Sequence, residues 1–226
     1  MVIVGTRCSA SLQGNDNVNF KIIDKYITES FMTKYDDLRE LLKSNRSYRR
    51  FDGNHAISDE TLRKLVELVR YCSSGRNLQP LRYRIVSSRE ECEAVFPALK
   101  WAGYFTWWDG PAETERPTAY LIQCIDTELT TNCLCDDGLQ LEALTLGAAT
   151  LGIHGCIIKA FNAAKVAEAL AIPERYKPLY VLALGYPAET VEIVDTDGTT
   201  DADIKYYRDS SDHHIVPKRP TEELIL

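Results

Sequence analysis

The stretch CDDGLQLEALTLGAATLG, residues 135–152, has the look of a long helix whose residues are small or apolar on nearly every side, closed by Gly152. A helix with no continuous polar face has to be enclosed by the rest of the chain. The neighbouring segments are of the right kind. TAYLIQCID before it, and GCIIKAF and LYVLALG after it, read as strands, while NAAKVAEALA reads as a helix capped by Asn162. Upstream, KYDDLRELLKS places Leu38, Leu41 and Leu42 at helical spacing, and SDETLRKLVELVRYC repeats that pattern behind a Ser58 N-cap. LRYRIVS alternates as a strand does, and SREECEAVF opens with Ser88 and Glu91 at capping-box spacing. The fold class implied is α+β, with helices packed around a central sheet.

The 226 residues, 45% of them hydrophobic, suffice for a sizeable core and fit one large domain better than two small ones. No internal repeat or Gly/Pro/Ser-rich linker divides them. Residues 1–31 are polar and without amphipathic period, and are expected to be a peripheral extension that leaves 32–226 as the domain. A net charge of -7 repels a phosphate backbone at long range, which argues against nucleic-acid binding. Seven cysteines, an odd number set mostly in apolar runs, suit a reduced compartment, and Cys133 and Cys135 lack the partners of a zinc site. No stretch approaches the roughly 20 apolar residues of a membrane span, so the expected location is the cytoplasm.

Against that acidic background, NRSYRRFDG, residues 45–53, packs three arginines around one serine. Guanidinium groups this close repel one another, so the cluster either fans into water at a helix C-terminus or meets something negative. Arg46, Ser47 and Arg49 have the spacing to surround a terminal phosphate, whose oxygens accept several charge-assisted hydrogen bonds. Taken alone, the two readings stand level. A second motif, SSGRNLQP, residues 73–80, follows the second helix; Ser73, Ser74 and Asn77 offer hydrogen bonds to a heteroaromatic edge and Gly75 allows close approach. By itself it reads as an ordinary helix-to-strand loop.

Between Pro97 and Pro117 lie all three tryptophans and no sustained period. Trp101, Tyr104, Trp107 and Trp108 are candidates for the roof over a flat acceptor, and large aromatics equally well fill a core or an interface. The sequence holds no G-x-S-x-G, P-loop, G-x-G-x-x-G or H-E-x-x-H motif, and the adjacent His213 and His214 read as packing rather than as metal ligands. The tail YYRDSSDHHIVPKRPTEELIL lacks a core-forming period yet carries aromatic and apolar residues, so it is expected to pack against something, a second copy among the options.

In order and spacing, NRSYRRFDG, SSGRNLQP, DDGLQLEALTLGAATLGIHGCIIKAF and the terminal VPKR resemble the FMN-dependent nitroreductase family, over nearly everything after Met32. The resemblance implies an α+β fold with a mixed or antiparallel sheet, and an intertwined homodimer holding two FMN molecules in its interface. It assigns Arg46, Ser47 and Arg49 to the ribityl phosphate, with Lys218 and Arg219 adding charge there. Ser73, Ser74, Gly75 and Asn77 would reach the flavin from the partner subunit. Ile157, Ile158 and Lys159 would lie along the flavin edge, where a backbone N–H donates to N5. The implied chemistry is ping-pong hydride transfer from NAD(P)H to a small oxidised acceptor, a nitroaromatic or quinone, carried by the flavin with no catalytic side chain and no metal demanded. The chain departs from the family pattern at Asn45, where many relatives have arginine, and at Lys159 and Ala160, where many have glutamate and glycine. Two alternatives share the fold: a non-catalytic FMN-binding or sensor module, which NAD(P)H would not reduce, and an oxygen-dependent flavin enzyme, recognised by its products.

Overall fold

Strands that are apolar on both faces can only sit between two layers, and the sequence supplies them at the centre of the main sheet. The computed structural model describes residues 33–198 and 200–226. In it β1 (Leu81–Val86), β2 (Ala119–Asp126), β3 (His154–Ile158) and β4 (Tyr176–Gly185) form an antiparallel sheet in the order β1-β2-β4-β3. Every residue of β2 is buried. Tyr120, Ile122 and Cys124 point to one core together with Val181 and Ala183 of β4, while Ala119 and Leu121 point to the other with Leu182 and Leu184.

The helices are α1 (residues 33–44), α2 (Asp59–Leu68), α3 (Arg89–Val95), α4 (Asp136–Ala149) and α5 (Ala163–Ala169). The first core takes in α3 and α5, through Cys92, Val95 and Val166, and the second takes in α2 and α4, through Leu62, Leu65, Leu141 and Leu144. The α+β class expected from the sequence is therefore the one observed. The chain divides into two units, Met1–Glu40 and Leu41–Leu226, and every contact described below lies within the second. The extension expected over residues 1–31 lies outside the described residues.

One expectation changes, and one is met in a particular way. The long apolar helix α4 is enclosed on one face only, by residues such as Gln140, Leu141, Leu144 and Ala148, whereas Leu139 on the other face is 45% exposed. The tail packs on its own chain: β5 (Val191–Asp195), β6 (Tyr207–Arg208) and β7 (His214–Lys218) form a second sheet in the order β5-β7-β6, with β5 and β7 parallel. Pro217 and the charged residues of these short strands hide them from a search for alternating apolar residues.

Candidate functional site

The arginine segment is held extended by two elements of the main sheet. Tyr48 N donates to Gly155 O of β3 at 3.0 Å, and Ser47 and Gly155 form a parallel bridge. Farther on, Asp52 N donates to Tyr186 O at 2.8 Å and Ala188 N donates to Arg50 O at 3.0 Å. Gly155 is a steric requirement, because a Cβ there would stand 2.4 Å from Ala183 O. Asn45, the departure at the head of the motif, is buried and donates through Nδ2 to Thr145 Oγ1 at 2.9 Å and to Glu142 Oε1 at 3.2 Å, which ties the segment to α4.

The three arginines then diverge. Arg46 is half-buried and donates through Nη2 to Leu42 O at 2.8 Å, in the last turn of α1, as a basic residue at a helix C-terminus does. Arg50 pairs with Asp212 and lies 3.6 Å from Glu115. Arg49, 8% exposed, pairs with no carboxylate among the described residues: its Nη1 donates to Ser47 O at 3.3 Å, lies 3.2 Å from His214 Nε2, and its guanidinium sits 4.9 Å from the centre of the Tyr206 ring. Glu189 instead accepts from the backbone N–H groups of Arg49 and Arg50 and pairs with the buried Arg208 at 2.5 Å. Sequence reading missed this network, because its parts come from both ends of the domain. The guanidinium of Arg50 holds the Asp212 carboxyl below the usual carboxylate range.

The Ser73–Asn77 loop is fixed to the start of α4. Ser74 Oγ donates to Asp136 Oδ2 at 2.6 Å, and Gly75 N donates to Asp136 Oδ1 at 2.9 Å, with Asp136 itself 1% exposed. Ser74 Oγ also accepts from Gln79 N at 2.9 Å. Ser73 and Asn77 remain exposed, and Arg76 and Asn77 both have φ of 55°, the left-handed region, so the loop turns sharply here.

At the far end of β3, Ile157 is 39% exposed, Ile158 is buried, and the exposed Lys159 places Nζ 3.0 Å from Tyr180 OH. The tryptophan-rich segment begins there, since Lys100 N donates to Ala160 O at 2.9 Å and Leu99 bridges Phe161. Trp101 is 7% exposed in the core, whereas Tyr104 and Trp107 are 53% and 68% exposed. Trp108 is half-buried and lies 5.9 Å from the guanidinium carbons of both Arg50 and Arg208. Phe105, which the sequence did not single out, packs edge-on against both Tyr206 and His214.

β3 and the two residues after it thus gather three of the expected groups: Ser47 at Gly155, then Ile157 to Lys159, then the aromatic segment at Ala160. The tail meets Arg49 at His214. Lys218 and Arg219 lie about 13 Å farther along β7, and Arg219 donates to Gly198 O at 3.3 Å and pairs with Glu223 at 2.9 Å.

The sequence profile described as the Nitroreductase family matches residues 42–108 and 136–186. The chain belongs to that family. Both the arginine segment and the β3 end fall within the match, whereas β5 to β7 lie beyond it. An NADPH-flavin oxidoreductase of Vibrio harveyi is 27% identical over 172 residues, an overlap of 68% of this chain and 67% of that protein. Among solved structures, the Vibrio harveyi NADPH:FMN oxidoreductase complexed with NAD+ is similar with a TM-score of 0.55 at 25% identity, over 71% of this chain and 73% of that one. A protein from Exiguobacterium sibiricum in complex with FMN is similar with a TM-score of 0.54 at 22% identity, over 67% and 88% of the two chains, a likeness of fold.

The donors of this nitroreductase-family chain suit a phosphate. Among the described residues Arg46 Nε and Arg49 Nε are buried without a hydrogen-bond partner, and Ser47, exposed, stands between them in sequence. The Ser47 and Arg49 side chains also meet the buried Cys156 thiol, so the capacity left for an anion is the two Nε groups and the remaining guanidinium N–H groups, which suit a phosphate dianion.

Proposed function

We propose that this chain is a homodimeric FMN-dependent oxidoreductase that passes hydride from NAD(P)H to a flat oxidised acceptor, such as a nitroaromatic or a quinone, by a ping-pong mechanism. The observation that carries this reading is the bridge between Ser47 and Gly155, which sets a cationic motif, with Arg46 Nε and Arg49 Nε unpartnered among the described residues, beside the strand that bears the exposed Ile157 edge. FMN would supply the hydride chemistry at N5. Arg46, Ser47 and Arg49 hold its phosphate, and the β3 end from Ile157 to Lys159 lines its edge with a main-chain donor. Ser73, Ser74, Gly75 and Asn77 complete the site from the partner subunit, with Asp136 holding their loop in shape.

The homodimer has support from the surface of this chain. Tyr71, Leu78, Leu134 and Leu139 are 75%, 42%, 61% and 45% exposed, and Leu78 and Leu134 line one cleft with Gly75 and Asp136 at the start of α4. A second copy would cover them. The exposed Tyr104 and Trp107 are the candidates to meet the acceptor, whereas the buried Trp101 anchors their segment. Lys218 and Arg219 add positive potential from the tail rather than a contact beside Arg49.

The test is the visible spectrum of the purified protein, recorded without oxygen. It is expected to show bound flavin, bleached on adding NADH or NADPH and restored by a quinone. A yellow protein that neither nicotinamide bleaches would leave a binding module instead.

A further inference from the structure

We infer that Lys159 is a positioning cation that raises the reduction potential of the bound flavin; this rests on the FMN reading above. The lysine is exposed, but its ammonium has a partner. Its Nζ lies 3.0 Å from Tyr180 OH and 5.0 Å from the centre of that ring, so one residue supplies both an acceptor and a π-face. Tyr180 in turn stands in a polar row that crosses the sheet. In the strand register it is opposite Gln123, and Gln123 is opposite Tyr83.

The row is braced from above by α4. Gln123, 0% exposed, donates through Nε2 to Tyr83 OH at 2.8 Å and to Asp137 O at 3.2 Å, and Tyr83 OH donates to Gln140 Oε1 at 2.9 Å. These bonds hold the Gln123 amide nitrogen and the Tyr83 hydroxyl in place. Tyr180 packs against the same core as Tyr83, and its hydroxyl is the partner of the ammonium just past the end of β3. The hydrogen bond with Tyr180, and then the charge of Asp137, raise the lysine pKa, so the group is cationic throughout the neutral range.

A fixed cation beside a cofactor that gains negative charge on reduction favours the reduced form, by Coulomb attraction that strengthens once the cofactor and a partner subunit displace water. The ring system is uncharged when oxidised, so the effect falls on the affinity for reduced FMN and far less on that for oxidised FMN.

The experiment measures the midpoint potential of the FMN-loaded protein and of Lys159→Gln, Lys159→Arg and Tyr180→Phe at low ionic strength, with FMN affinity measured alongside. Lys159→Gln is expected to move the reduced-to-oxidised ratio about tenfold toward oxidised, which is about 30 mV for a two-electron couple. Lys159→Arg is expected to keep the native potential, and Tyr180→Phe to give a smaller shift in the same direction. An unchanged potential in Lys159→Gln, with flavin bound, overturns the inference, and so does an equal shift in Lys159→Arg. A protein that takes up no FMN removes the underlying reading instead, and is told apart by its lack of colour.

Discussion

At pH 7 the imidazole of His214 is neutral, because burial, and then the charges of Arg49 and Arg208, push its pKa from the ordinary 6.5 down to about 4. It therefore takes the Arg49 N–H as an acceptor while packing against Phe105 and Tyr206. In the unfolded chain the same ring binds a proton near 6.5, so as pH falls from about 6.5 toward about 4 the unfolded state binds more protons and stability drops. Below the folded value the loss is complete. The melting temperature is expected to fall across that window, and His214→Gln to flatten the curve; parallel curves for the two proteins would show that His214 does not carry the effect. The sequence displayed the arginine cluster but not this environment. Glu189 and Asp212 stand 140 and 162 residues from the arginines they meet, a separation at which no local pattern survives.

Elements with local signals were legible. Ser58 Oγ accepts from Thr61 N, Ser88 Oγ from Glu91 N and Asn162 Oδ1 from Lys165 N, at 3.1, 3.2 and 3.1 Å, so three of the expected N-caps form. The Ser88 box is half made, since the Glu91 carboxylate pairs with Arg84 instead of turning back to the cap. The four main strands were legible because burial on one or both faces imposes apolar runs, and β5 to β7 were not, because two- to five-residue strands with a proline carry too few positions for a period. The staple between Asp136 and the Ser74–Gly75 loop was also invisible, as its acid looked like part of a helix start. Asp136→Ala leaves the Gly75 N–H and the Ser74 hydroxyl without that acceptor, which should cost about 1–3 kcal/mol. Denaturant titration reads that loss, and amide exchange should quicken over residues 73–79; unchanged exchange there would mean that other contacts set the loop.

For the molecule as a whole, the half-covered α4 is the feature that a single chain does not explain. Leu139→Arg puts a charge on the exposed face without disturbing the buried one, so it should lower the dimer population in sedimentation while leaving the fold intact. A wild-type protein that sediments as a monomer at all concentrations would contradict the homodimer. The central claim, that the arginine motif holds the phosphate of FMN, is tested most directly by titrating FMN and riboflavin separately into the apoprotein, because the two ligands differ only in that group. FMN is predicted to bind on the order of 100-fold tighter than riboflavin, with most of that preference lost in Arg46→Ala, whose side chain is less entangled with the tail than that of Arg49. Equal affinity for the two ligands, or a preference untouched by Arg46→Ala, would contradict it.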